Sequence, residues 1–126
     1  MPKPVSLTKR ELDIMSVLWR RKSATVGEIR DELTDDLAYP TVQTMLRVLE
    51  TKGFVKHTQD GRAFRFYPLI AQDDLADSVL KRLVTKVYHG SRELLITRLI
   101  TADDIPPDEL RRIKKVLQRR IDEADK

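Results

Sequence analysis

Cysteine is absent from the 126 residues, which removes disulfide frameworks, cysteine-ligated zinc, iron–sulfur clusters and thiol catalysis together. Histidine is scarce as well: His57 and His89 stand apart, without the spacing of a metal-ligand set. The carboxylate pairs Asp35-Asp36, Asp73-Asp74 and Asp103-Asp104 fall at expected helix ends, where they read as helix-dipole partners and solvated turns. No nucleophile–base pair, phosphate loop or convergent acid pair is legible, so an enzyme is the weakest reading, and neither cofactor nor metal is expected. Hydrophobic residues make up 40% of the chain but never run unbroken for the ~18 positions a membrane span requires. The first ten residues lack the apolar stretch of a signal peptide, so no membrane partner and a cytoplasmic location are expected.

What is abundant is charge: 24 basic against 20 acidic residues, a net charge of +4, with a pI near 9.5. Residues 1–68 hold net +3 of it and 69–126 the remaining +1. That imbalance allows a nucleic-acid surface but does not demand one, since a mixed-charge solvated surface has the same composition. A chain of this size buries roughly two-thirds of its unfolded surface, which supports one real core and not two large ones. The punctuation changes after Pro68, where aromatics and turn residues give way to nearly continuous helical periodicity, so two directly coupled modules are expected, 1–70 and 71–126.

Leu7 to Arg21 reads as a helix with capping-box spacing at Thr8 and Glu11 and an apolar face of Leu12, Ile14, Met15, Leu18 and Trp19. Thr25 and Glu28 repeat the spacing before a short second helix carrying Ile29 and Leu33, with a brief strand at Ala24 to Val26. Pro40 suits a first helical turn, and Val42, Met45, Leu46 and Leu49 recur at helical spacing until Gly53. Two β-rich runs then flank Asp60-Gly61, a strong hairpin signal. Phe64, Phe66 and Tyr67 read as core and strand-pairing residues, because a base-stacking platform needs a wider sheet around it.

Helix, short strand, helix, helix, hairpin is the order of a winged helix-turn-helix, whose third helix enters a DNA major groove while the hairpin lies against the backbone. The recognition helix is expected at 40–53 and the wing at 54–67. Thr41, Gln43 and Thr44 are short polar groups near the helix start: Gln pairs two edges of adenine, and a Thr methyl meets a thymine methyl. Arg47 and Lys52 share the polar side, while Lys56, Arg62 and Arg65 surround the wing turn as expected phosphate contacts. A polar helix stripe is also the ordinary solvated face of an amphipathic helix. A winged-helix protein-interaction adaptor without sequence-specific DNA binding therefore stays as the alternative.

In the second half, Leu75, Val79, Leu83 and Val87 line one face of a long helix from about Gln72 to His89, which Gly90 breaks. Leu94 to Ile100 forms a second helix with Leu95 and Leu99, and Pro107 starts a third in which Leu110, Ile113, Val116 or Leu117, and Ile121 recur. Three short amphipathic helices in ~55 residues present more apolar surface than so small a unit hides on itself, which points to a second copy. A small bundle packed on its own winged helix is the alternative. The expected fold class is mainly α with a small β-wing, a winged helix-turn-helix followed by a three-helix dimerisation module.

Leu7 to Trp19, Thr41 to Val55 with its Thr-Val-Gln-Thr-Met-Leu run and Leu-x-x-Lys-Gly-Phe ending, and Gly61 to Pro68 resemble the penicillinase-repressor family (BlaI/MecI/CopY type). The resemblance covers essentially the whole chain. It implies a homodimeric transcriptional repressor whose winged helices read an inverted-repeat operator in double-stranded DNA and whose C-terminal helices dimerise. By position it lays the family's DNA-contacting segment on Thr41, Gln43, Thr44 and Arg47, and the wing on Gly61 and Arg62. Two positions depart from the family pattern: Pro40 stands where some members carry a basic residue, and Ala38 occupies the usual Ser cap slot. The resemblance supports repression better than any particular inducer: a regulatory protease or another inducing factor is an open partner. Copper-responsive relatives use C-terminal cysteines, which this chain lacks, and the Asn-Phe bond cut in β-lactam-responsive relatives aligns near Arg98-Leu99, so that cleavage signal is not present.

Overall fold

The computed structural model describes residues 7–102 and 104–126. Residues 1–6 and Asp103, one half of an expected acidic pair, lie outside the described residues. The chain divides into two compact units, Met1–Lys81 and Arg82–Lys126. The first contains α1 (Lys9–Arg21), β1 (Ala24–Thr25), α2 (Val26–Glu32), α3 (Tyr39–Thr51), β2 (Val55–Asp60) and β3 (Ala63–Pro68). The boundary falls inside α4 (Gln72–Lys86), and α5 (Arg92–Ala102) and α6 (Pro107–Ala124) follow. The fold is mostly helical with one small antiparallel sheet, in the strand order β1-β3-β2.

Both capping boxes form. Thr8 Oγ1 accepts the Glu11 N–H at 3.1 Å while Glu11 Oε1 accepts the Thr8 N–H at 2.9 Å, and Thr25 and Glu28 do the same at 3.2 and 2.9 Å. Each box satisfies two N–H groups that a helix start would leave unpaired, fixing where α1 and α2 begin. Lys22 ends α1 in the left-handed region at φ 73° and donates its N–H to Leu18 O at 2.7 Å. At the end of α4, Gly90 at φ 87° donates back to Val84 O at 2.8 Å, so the helix closes at Lys86, three residues before the expected His89.

The core of the first unit is drawn from every element: Ile14, Met15 and Leu18 of α1, Ile29 of α2, Leu46 and Leu49 of α3, with Val55 and Phe66 closing it from the sheet. Leu12, expected on the same face of α1, is 42% exposed, because the buried arc centres on Ile14 and Leu18 and Leu12 lies at its margin. Trp19 packs at the core edge and donates Nε1–H to Ile70 O at 2.9 Å, tying α1 to the segment after β3. Phe66 is buried as expected. Phe64 is not: it pairs with Gln59 nearer the hairpin tip, is 44% exposed, and meets His57 edge-on at 4.8 Å.

The second unit differs in kind. Among the described residues of 82–126 none is buried. Leu94, Leu99, Val116 and Ile121 are all more than half exposed, and α5 and α6 border an apolar groove of about 570 Å³ lined by Ile96, Leu99, Ile113 and Leu117 among others. Among the described residues, no helix is long and apolar enough to cross a membrane.

Candidate nucleic-acid interface

Tyr39 is the first residue of α3 and Pro40 the second, one position later in the helix than its fixed φ alone suggested. Ala38 sits at the N-cap with no side-chain hydrogen bond; its carbonyl instead accepts the Thr41 and Val42 N–H groups at 3.0 and 3.2 Å. Pro40 has no N–H to satisfy, so the missing cap side chain leaves less undone than an alanine N-cap ordinarily would.

Val42, Leu46 and Leu49 turn into the core, and the opposite side of α3 is left to Thr41, Thr44 and Arg47, all exposed, with Gln43 half-buried beside them. Thr44 Oγ1 donates to Pro40 O at 3.0 Å. Its proton is thereby committed to the helix, leaving a methyl group and acceptor lone pairs for anything that approaches. Thr41 and Thr44 also line an open groove of about 740 Å³ with Lys9 and Arg10 of α1 and Asp35. In the sequence Lys9 and Arg10 carry no signal beyond the polar side of a helix marked by its apolar face. Arg10 pairs with Asp35 at 3.5 Å. Tyr39 carries no signal beyond its place before Pro40; the Arg30 guanidinium lies over its ring at 5.8 Å.

Lys52 and the wing cations are differently engaged. Lys52 Nζ, just past the end of α3, donates to Glu11 Oε1 and Oε2 at 3.0 and 3.1 Å, clamping the end of α3 to the start of α1. Burial pushes the Glu11 carboxyl up, but the Thr8 N–H and the Lys52 ammonium outweigh it and hold it below the ordinary value of 4.5. A native carboxyl that binds its proton less tightly than the unfolded chain contributes stability above the unfolded value, and that contribution is lost as pH falls through the native one. Glu11→Gln is accordingly expected to cost about 1–2 kcal/mol near neutral pH, with the gap to wild type closing below pH 4.5. Urea unfolding at both pH values measures it; a gap independent of pH would remove the ion pair from the account.

Lys56 and Arg62 are exposed on the wing, whereas Arg65 is half-buried and bonded to Asp60, Glu28 and Ser23. The two-residue loop is Gly61-Arg62, with Asp60 still paired to Ala63, one position later than the expected Asp60-Gly61 turn. Gly61 takes φ 64° and Arg62 does not share the positive φ, the pattern of a type II′ hairpin, which needs glycine only at its first central position. Arg62 thus stands at the very tip. Among the described residues, no group of three potential ligands is gathered to hold a metal.

Comparison with known proteins decides which family this architecture serves. The family model described as Penicillinase repressor matches residues 7–119. The chain belongs to the penicillinase-repressor family. It is 25% identical over 120 residues to the methicillin resistance regulatory protein MecI of Staphylococcus aureus (strain N315), spanning 94% of this chain and 98% of that one. To the transcriptional regulator BlaI of Mycobacterium tuberculosis (strain CDC 1551 / Oshkosh) it is 31% identical over 121 residues, spanning 93% and 86%. The solution structure of the DNA-binding domain of the repressor BlaI superposes with a TM-score of 0.51 at 36% identity, covering 59% of this chain and 93% of that domain. The family is one of transcriptional repressors, which are not enzymes.

Proposed function

We propose that this DNA-binding transcriptional repressor works as a homodimer on an inverted-repeat operator, each protomer laying α3 in a major groove with the hairpin against the flanking backbone. Function then divides near residue 70: a DNA-binding domain over 1–70 and a dimerisation domain over 71–126. The observation that carries the DNA half is the two-sidedness of α3. Its apolar side is spent on the core, while Thr41, Thr44 and Arg47 face outward with Gln43 half-buried beside them, next to a hairpin tipped by Arg62. The short side chains approach base edges; Arg47, Lys56 and Arg62 take phosphates. The likeness to a domain described as the DNA-binding domain of BlaI supports the same reading.

The dimer half rests on the second unit, which has no buried residue among those described. Helices with one apolar stripe fold by covering it, and a second copy supplies the cover. Leu83, Leu95 and Ile113 are half-buried, while Val79, Val87, Leu99, Leu110, Leu117 and Ile121 are exposed and offer the surface. Leu75 is already covered within one chain at 1% exposure. Two-fold symmetry in the protein demands half-sites one or more helical turns apart in the DNA.

Binding-site selection from random duplex DNA at fixed salt tests the proposal. The expected result is an enriched inverted repeat; no enrichment by folded protein would favour a protein-interaction adaptor. Arg62→Ala is expected to weaken binding to all duplexes and to lower the slope of log affinity against log salt by about one, as removal of one phosphate contact does. An unchanged slope would take Arg62 out of the backbone contacts.

A further inference from the structure

Strand β1 is only two residues long, and its pairing with β3 stops at Thr25 opposite Arg65. Beyond that rung the wing is a two-stranded ribbon, an arrangement marginally stable by itself in water. Arg65, the last residue supported by β1, is also the residue that reaches outward along the ribbon and back to the helices. Its Nε donates to Asp60 Oδ2 at 2.9 Å, at the base of the turn, and its Nη1 donates to Glu28 Oε1 and Ser23 Oγ, both at 3.3 Å. Glu28 is fixed in turn by the Thr25 N–H and by Arg21 Nη2, each at 2.9 Å. Arg21 reaches Glu32 Oε2 at 2.6 Å, and Arg20 pairs with the other oxygen of the same carboxylate. A continuous path of ion pairs runs from the wing turn through β3 to α2 and the end of α1.

We propose that Arg65 is a positioning residue for DNA binding, holding the wing tip at a fixed attitude to α2 so that Arg62 meets the duplex backbone, and that it makes no phosphate contact itself. This inference rests on the DNA-binding reading above. Arg20, Arg21 and Arg65 face Asp60, Glu28 and Glu32, so the network is neutral as a whole and adds nothing to long-range attraction of a polyanion. The Arg65 side chain is 26% exposed, and two carboxylates already occupy its planar fork. A phosphate would have to displace one of them. The sequence placed Arg65 with the phosphate contacts because its position beside the turn was legible while its partners, 5 and 37 residues away, were not.

Asp60 supplies a test whose sign separates the two roles. Removing a negative charge beside DNA, by field arguments alone, tightens binding; cutting the tether loosens the wing and weakens it. The measurement is binding of the full chain to a mixed-sequence duplex across a salt series, with amide hydrogen exchange of the free protein beside it. Asp60→Ala is expected to weaken binding about two- to fivefold, the range of a partly exposed ion pair, with the salt slope unchanged. Arg65→Gln should behave the same way, and the double variant should cost no more than either single one, because both cut the same link. In the free protein both variants should speed exchange across the hairpin tip while α1 and α3 stay protected. Tighter binding by Asp60→Ala, or a slope lowered by about one in Arg65→Gln, would overturn the proposal and return Arg65 to the phosphate contacts. If wild type bound no duplex, the DNA-binding reading would fall, and hairpin exchange unaltered in both variants would separately overturn the tether.

Discussion

Exchanging Gln43 and Thr44 together for alanine is expected to lower affinity for the selected operator about thirty- to a thousandfold, roughly 2–4 kcal/mol from two base-reading side chains, while affinity for random duplexes barely changes. The contrast follows from division of labour along the interface. On the proposed reading, Arg47, Lys56 and Arg62 carry charge to any phosphate, whereas an amide and a methyl group reward only matching base edges. Folding is not at issue: Thr44 is exposed, Gln43 half-buried, and alanine favours a helix interior over both. Thr44 permits a finer division. Because its hydroxyl proton is already given to Pro40 O at 3.0 Å, the group left to read a thymine is the methyl. Thr44→Val should retain most operator affinity and Thr44→Ser should lose it; the reverse order would assign the reading to the hydroxyl. Equal losses on random DNA in the double variant would remove both residues from base reading.

Much of this site was legible because its signals are local. A Thr three residues before a Glu, Pro in a first turn and an Asp-Gly pair between β-rich runs each act within a few residues, and they located both capping boxes, α3 and the hairpin. The hairpin register slipped by one because Asp60 and Gly61 both suit a turn, and only the pairing of Asp60 with Ala63 decides between them. What stayed hidden depends on distance along the chain. Spacing places Lys52 on the polar side of α3, but its carboxylate partner stands 41 residues earlier in α1. Phe64 and Phe66 look alike in an alternating strand, yet only Phe66 lies over the helices; Phe64 follows the ribbon out beyond them. Spacing reports which face a residue occupies, and the extent of the neighbouring layer decides whether that face is covered.

The larger effect belongs to the second unit. Leu99→Glu and Leu117→Glu, combined, are expected to convert the proposed dimer to a monomer in sedimentation and to reduce affinity for the full inverted repeat about a hundredfold or more, while half-site affinity is kept. Linking two half-site modules turns the second binding event into an intramolecular one, and that advantage, worth ~10²–10⁴ in affinity, disappears when the link is cut. Both leucines line the groove between α5 and α6, and within one chain they are 57% and 43% exposed. A glutamate at either position therefore remains solvated in the monomer; its cost falls on an assembly that would bury it unpaired. The pairing of readouts matters more than either alone. A dimer that survives both substitutions would move the interface to the exposed face of α4, where Val79 and Val87 are 44% and 57% exposed. A monomer that still bound the full repeat as tightly as wild type would show that the two winged helices gain nothing from being joined, and would refute the homodimeric operator reading.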